Sequence, residues 1–160
     1  NEIYNFLAVN KPINKNITLS FQSISLEHVS MHKYLGVLFH ENLRWSYHVD
    51  FVSSKTARYI GILNKFHPLL QMHLRKQLYF STVQSRVQYC LLVWGVGTKT
   101  NMEKIYILQK KGLRFICNLS RYDSVSAHFK LSHILSITAL YKQRLSEFIY
   151  RQYKIDCNAY

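Results

Sequence analysis

Hydrophobic and polar positions change their spacing once along this chain. Ile3–Val9 reads as a strand, with Ile3, Asn5, Leu7 and Val9 alternating with Tyr4, Phe6 and Ala8, and stops at Asn10-Lys11-Pro12, where proline removes a backbone donor. Ile17–Phe21 alternates more cleanly and predicts a half-buried strand, with Ser23–Val29 as the returning arm of a hairpin. Tyr34-Leu35-Gly36-Val37-Leu38-Phe39 is a continuous apolar run and predicts one strand covered on both faces. Gly36 inside it reads as a point of close backbone approach rather than a turn.

From about Ser46 the spacing becomes helical. Between Val49 and Lys65, ~100° per residue gathers Val49, Val52, Thr56, Tyr59, Ile60 and Leu63 on one arc. Lys55, Arg58 and Lys65 fall on the opposite side, and Pro68 ends the helix. Gln71–Val93 is apolar nearly all round, through Leu74, Leu78, Val83, Val87, Leu91 and Leu92, which predicts a helix in the middle of a bundle. Gly95-Val96-Gly97 breaks that pattern. Thr100 with Glu103 has the form of a capping box, in which two side chains satisfy amides at a helix start. The helix that follows places Met102, Ile105, Tyr106, Gln109, Gly112, Leu113 and Ile116 on one side and Lys104, Lys110, Lys111 and Arg114 on the other. Asp123 is the candidate cap of a short helix reaching Phe129. Ser136 begins a last helix to about Tyr153, with Leu140, Tyr141, Leu145 and Phe148 inward. The expected fold class is α+β, mainly α. An antiparallel β segment over residues 1–45 is followed by a helical bundle over residues 46–160.

Composition sharpens this picture in two ways. At 48% hydrophobic and 18% charged residues, the chain can build a core and is not a disordered polar segment. No run approaches the ~20 apolar residues of a membrane span, so no membrane partner is expected. Cys90, Cys117 and Cys157 are odd in number and widely spaced, which fits neither a disulfide framework nor a zinc site. Reduced thiols imply an intracellular location, nuclear or cytoplasmic. The triplet Asn118-Leu119-Ser120, formally a glycosylation acceptor, is then a chance match.

Charge is the second. The formal net charge is +13, yet residues 1–52 carry as many acidic as basic groups, so the whole excess falls in the helical part. A basic field confined to one region attracts polyanions, above all nucleic acid. Cations on outward helix faces contact phosphates, which positions a duplex without reading its sequence. The candidate contacts are Lys55, Arg58 and Lys65 on one helix and Lys104, Lys110, Lys111 and Arg114 on another.

Catalytic chemistry is not in view. Metal-dependent nucleotidyl transfer needs clustered carboxylates to hold divalent ions, whereas the eight acidic residues here are scattered. His28 with His32, and His128 with His133, lack cysteine companions and read as surface histidines. Gly95-Val96-Gly97 has no third glycine for a phosphate loop, and no serine or cysteine carries a nucleophile elbow. The expectation is a chain that is not itself an enzyme, with no catalytic residue, no metal ligand and no cofactor. Trp45, Tyr89 and Trp94 read as packing anchors rather than base-stacking rings.

Three ordered stretches carry a resemblance. Lys33-Tyr34-Leu35-Gly36-Val37-Leu38, followed by Asn42-Leu43-Arg44-Trp45-Ser46-Tyr47-His48, resembles the "KYLGV…LxWxxH" block of non-LTR (LINE-like, jockey-type) retrotransposon reverse transcriptases. Tyr89-Cys90-Leu91-Leu92-Val93-Trp94-Gly95 is similar to their "Y…(V)WG" block, and Gln109–Ile116 to their "QKKALRxI" helix. The resemblance runs from about Lys33 to Leu145. It implies the last palm strands and the helical thumb of an RNA-directed DNA polymerase, with template–primer duplex as partner. It also implies that the catalytic aspartates, the Mg2+ they bind, and the rest of palm and fingers belong upstream of Asn1. His40 departs from the pattern, where an acidic residue is usual. So does Gly112 in place of alanine, which weakens a helix by ~1 kcal/mol and would suit a decayed copy. A basic helical protein-interaction module and a non-functional retrotransposon product remain the alternatives.

Overall fold

The computed structural model describes residues 20–21, 24–25 and 28–157. The strand expected over residues 3–9 and the start of the one expected at 17–21 lie outside them. Ser20–Phe21 (β1) pairs antiparallel with Ile24–Ser25 (β2), in the place of the expected hairpin. The chain divides into two compact units, with the boundary between His48 and Val49.

In the first unit, Met31–Tyr34 (β3) and Val37–His40 (β4) form an antiparallel pair from Met31↔His40 to Tyr34↔Val37. This corrects the single strand expected over 34–39. Leu35 and Gly36 have φ of 46° and 85°, so both central residues of the two-residue turn are left-handed. That geometry matches the right-handed twist of a hairpin. Gly36 adopts it without a Cβ clash, and it is a turn residue after all. The apolar run is not covered on both faces either, since Tyr34 is 58% and Leu35 70% exposed. Only Val37 is buried in this hairpin, and it begins β4. The Trp45 ring stands edge-on to Phe39 at 5.6 Å, and the His40 ring stacks on Tyr47 at 4.8 Å. His48 is buried, and its Nδ1 accepts the Leu38 N–H at 3.2 Å. Burial lowers the His48 pKa below its ordinary value, because a buried imidazole is disfavoured in the charged form.

The second unit is helical. Ser46–Phe66 (α1) buries Val49, Val52, Thr56, Ile60 and Leu63, the expected arc except for Tyr59, which is half-buried. A single 3-10 turn at His67–Leu69 containing Pro68 ends it. Met72–Tyr79 (α2), one π turn at Phe80–Gln84 and Ser85–Gln88 (α3) then run on as one rod. The Thr82 hydroxyl donates to the Leu78 carbonyl at the start of the π turn. Such a side-chain bond competes with the backbone ladder at the point where it widens. The rod is not buried all round, as a helix in the middle of a bundle would be: Leu74 and Phe80 are exposed while Tyr79, Val83 and Val87 are buried. It stops at Cys90, whose φ is 50°, and Leu91–Trp94 (α4) starts afresh.

Lys99–Cys117 (α5) is the central helix. Its cap is not the expected Thr100 with Glu103. Thr98 is the N-cap, and its hydroxyl accepts the Asn101 N–H at 3.4 Å. Thr98 therefore holds the first free amides two residues earlier, and Thr100 lies inside the helix. At the far end Asn118 takes φ 55°, and Leu119 N–H closes on the Arg114 carbonyl at 3.1 Å. Asparagine tolerates this left-handed stop better than most residues, which gives Asn118 a structural role of its own.

Ser126–Leu131 (α6) is not capped by Asp123 as expected. Asp123 instead accepts the Ser120 N–H at 2.7 Å and closes the preceding turn, while Val125 stands at the cap with no side-chain bond. Ile137–Cys157 (α7) follows, with the Ser136 hydroxyl accepting the Ala139 N–H at 3.4 Å. Leu140 is buried, but Leu145 and Phe148 are exposed, against expectation. From Lys142 onward no described residue of the helix is buried.

The core of this unit gathers Ile60, Leu63, Tyr79, Val83, Leu108, Leu113, Phe115, Ile116, Val125 and Ile134. At its centre Gly112 faces Tyr79, and a Cβ on Gly112 would lie 2.4 Å from the Tyr79 Cε2 atom. The glycine is thus a space for a ring and not a defect in the helix. The fully buried Gln109 ties α5 to the start of α7: its Oε1 accepts the Ile137 N–H at 2.7 Å and its Nε2 donates to the Leu135 carbonyl at 3.1 Å. One amide side chain satisfies a donor and an acceptor that would otherwise be orphaned at that helix entry.

Candidate nucleic-acid interface

Side chains connect α1 and its end to α5 at two places. Asp50 near the start of α1 is paired with Lys104 near the start of α5. His67, just past the end of α1, sets its ring edge-on to Phe115, near the end of α5, at 5.8 Å. Each helix turns its buried arc to the common core, so the opposite arcs, which hold all seven candidate cations, face away from it.

The seven are not equivalent. Around the outward half of α5 the order is Lys110, Glu103, Arg114, Ile107, Thr100, Lys111, Lys104 at ~100° per residue. Lys104 marks the flank beside α1 through its pair with Asp50. Lys110 and Arg114 mark the other flank. The Lys110 ammonium sits 4.2 Å over the Tyr106 ring, and Arg114 Nη2 donates to the Asp123 carbonyl at 3.3 Å. Arg58 and Lys65, seven apart, share the outward arc of α1 and are exposed, as is Lys111 on α5. Lys55 lies over the Phe51 ring at 4.3 Å, on the flank of α1 turned from Asp50. Arg58, Lys65 and Lys111 are thus exposed and Lys104 half-buried on the outward arcs of the two helices, and Ala57 and Gly61 are exposed on α1. Lys55 lies on one flank of α1, and Lys110 with Arg114 on one flank of α5.

Two cations were missed from sequence. Arg75 is buried and donates from Nη1 to the Phe115 carbonyl at 3.1 Å, and the same nitrogen contacts His67 Nε2. A guanidinium here satisfies a free carbonyl of α5 and lies at the negative end of its dipole. Arg86 lies 4.1 Å over the Tyr59 ring. Both hold helices together, and spacing alone could not separate them from the solvent-facing cations. Of the three expected anchors, Trp94 is fully buried with its indole N–H on the Tyr89 carbonyl at 2.8 Å. Trp45 packs on Phe39, whereas Tyr89 is 51% exposed and is not a core anchor.

Among the described residues no group of three or more His, Cys, Asp or Glu side chains is placed to hold a metal ion. Cys90, Cys117 and Cys157 are free thiols. No described helix is long and apolar enough to cross a membrane. Comparison with protein-family models, with curated proteins and with solved structures finds no match to this chain.

Proposed function

We propose that this chain is the palm-end and thumb portion of a non-LTR retrotransposon reverse transcriptase and grips template–primer duplex without a catalytic site of its own. The observation that carries the reading is that α1 and α5, connected at two places, each have a core face inward and cations outward. The ordered sequence resemblance from Lys33 to Leu145 supports it independently. An RNA–DNA hybrid offers a wide, shallow minor groove flanked by phosphates, which suits backbone contact by basic helix faces. Upstream palm and fingers are the protein partners in this reading, and Mg2+ belongs to the full polymerase. The setting is intracellular, nuclear or cytoplasmic.

The test is hybrid-duplex binding over a salt series. Each phosphate neutralised contributes a slope of about −0.9 in log K against log salt. Arg58→Glu, Lys65→Glu and Lys111→Glu together should weaken binding at least tenfold and flatten the slope. Affinity that ignores salt would sink the proposal. Nucleotide incorporation by this chain with Mg2+ would contradict the missing catalytic site.

A second reading has one observation in its favour. Phe148, Ile149, Tyr150, Tyr153 and Ile155 on distal α7 are each at least 50% exposed. Such a concentration of exposed apolar and aromatic side chains suits a protein-interaction module, and retention of a partner protein with no hybrid binding would support that reading instead.

A further inference from the structure

The first turn of α7 is anchored by the buried Ile137 and Leu140, whereas residues 142–157 run on for ~24 Å with no buried side chain among those described. Propensity contributes little to a helix in water, and most of its stability comes from packing an amphipathic face. Such a face is present. At ~100° per residue Ile155, Phe148, Tyr141, Gln152 and Leu145 follow one another round the helix, with Ile149 just beyond them. Along the chain Tyr141, Leu145, Phe148, Gln152 and Ile155 are spaced 4, 3, 4 and 3 apart, which is the alternation of the two seam positions of a coiled coil. Leu145, Phe148, Ile149 and Ile155 are all exposed, the last to 60%.

Cations border this arc on both sides. Arg144 and Arg151 adjoin Ile155 on one edge, Lys142 follows Ile149 on the other, and all three are exposed. Arg144 donates to the Glu147 carboxylate at 3.1 Å. Glu147 lies further round the helix, also accepts from Gln143, and is the one carboxylate among the described side chains of α7. Arg151 and Lys142 have no ion pair among the described residues.

A seam with this spacing is complementary to another helix, whose side chains project at the same intervals. Its borders sit where the flanking residues of two paired helices meet. Cations there favour carboxylates on the partner and oppose a second copy of α7, whose borders carry the same charges. Gln152, at the centre of the arc, argues against a membrane surface. Among acyl chains its amide would lose water and gain no partner, whereas a polar seam residue of a facing helix can hydrogen-bond it. We propose that distal α7 docks an amphipathic helix of another protein, with an apolar seam against Leu145, Phe148 and Ile155 and carboxylates against Arg144, Arg151 and Lys142. No candidate duplex contact lies on α7, so the inference holds whether or not the chain grips duplex.

The test uses the full chain and fluorescence anisotropy with two labelled helical peptides of about three heptads. Both have a leucine and isoleucine seam with one asparagine, flanked by glutamate in one peptide and by lysine in the other. The glutamate-flanked peptide should bind at least about tenfold more tightly. Phe148→Ser with Ile155→Ser should abolish that binding and leave the urea midpoint and hybrid affinity unchanged, since both side chains are exposed. Arg144→Ala with Arg151→Ala should cut the preference between peptides to about twofold or less. Equal binding of the two peptides, or binding of neither, would overturn the proposal. A dimer in light scattering that the serine variant dissolves would assign the arc to a second copy instead. Uptake onto phosphatidylserine vesicles that the same variant loses would assign it to a lipid surface, and either result defeats the helix partner. Absence of hybrid binding would defeat only the duplex reading.

Discussion

Alanine in place of glycine should act with opposite sign at two helical glycines of this chain. Within a helix the exchange is ordinarily favourable by ~1 kcal/mol, because glycine loses more backbone entropy on folding. Gly61 is exposed on α1, and an added Cβ would meet nothing within 4 Å, so Gly61→Ala should realise most of that gain. At Gly112 the new methyl would lie 2.4 and 2.8 Å from the Tyr79 Cε2 and Cδ2 atoms. Carbon atoms rest at about 3.5–4.0 Å, so the ring would have to retreat by roughly 1 Å. It has no room to do so. Tyr79 is fully buried, and its hydroxyl donates to Gln84 at 3.2 Å. Burial also raises the Tyr79 pKa, and a bond from Gln109 opposes the shift, so the hydroxyl is held neutral in a dry site. Overpacking a core typically costs about 1–3 kcal/mol, and disturbing the buried hydroxyl adds to it. Gly112→Ala should therefore destabilise by about 1–2 kcal/mol net of the helix gain. Urea unfolding followed by Trp94 fluorescence measures both variants, and a double-mutant cycle with Tyr79→Leu isolates the ring. With the ring gone, alanine at 112 should turn neutral or favourable. Stabilisation of the otherwise unaltered protein by Gly112→Ala would refute the packing argument and restore the view of Gly112 as a mark of decay.

Three further outcomes follow from the same contacts. Arg75→Met should cost about 1–3 kcal/mol in urea unfolding, because the Phe115 carbonyl loses its buried donor. Asp50→Ala should release Lys104 for phosphate and raise hybrid affinity a few-fold at low salt. Stability should move by less than ~1 kcal/mol, as the pair is largely solvent-exposed. His48 has a folded pKa below the 6.5 of the unfolded chain, so the unfolded state takes up the proton first as pH falls. Its contribution to stability is complete above pH 6.5 and is lost as pH drops through the lowered folded value. Trp45 fluorescence across that window reads the loss, and His48→Gln, which retains an acceptor for the Leu38 N–H, should flatten it.

Helices were more legible than strands because their signal is redundant. Along α1, five buried residues repeat one face, so a single misread position leaves the assignment intact. The apolar run Tyr34–Phe39 offered no such check. A buried strand and a hairpin with an apolar turn look alike until Leu35 and Gly36 are seen at positive φ. Caps were legible in kind but not in place, since Thr98 and Thr100 carry the same hydroxyl and only the backbone decides which one precedes the helix. Distal α7 failed for a different reason: an amphipathic pattern reveals a face that wants covering, not whether anything covers it. The candidate cations were legible as outward residues, while their partners were not. Asp50 is 54 positions from Lys104, and no local rule connects them.

Those partners decide how the basic surface would work. Thr98 holds the start of α5, Gln109 its middle and Arg75 its end, so the helix presents its cations from a rigid rod. Rigidity lowers the ordering cost of binding, which favours even weak phosphate contacts. Lys104, Lys110 and Arg114, however, already interact with Asp50, Tyr106 and Asp123, and Lys55 interacts with Phe51. A cation held by a neighbour in this way neutralises a phosphate only by sharing or giving up that contact. Arg58, Lys65 and Lys111 are exposed and have no such contact among the described residues, so they should supply most of the salt-dependent affinity. At about −0.9 per phosphate, three contacts give a slope near −3 and seven a slope near −6. A measured slope close to the smaller magnitude would mean that the partners hold their cations. The larger would mean that the duplex outcompetes Asp50 and the aromatic rings for them.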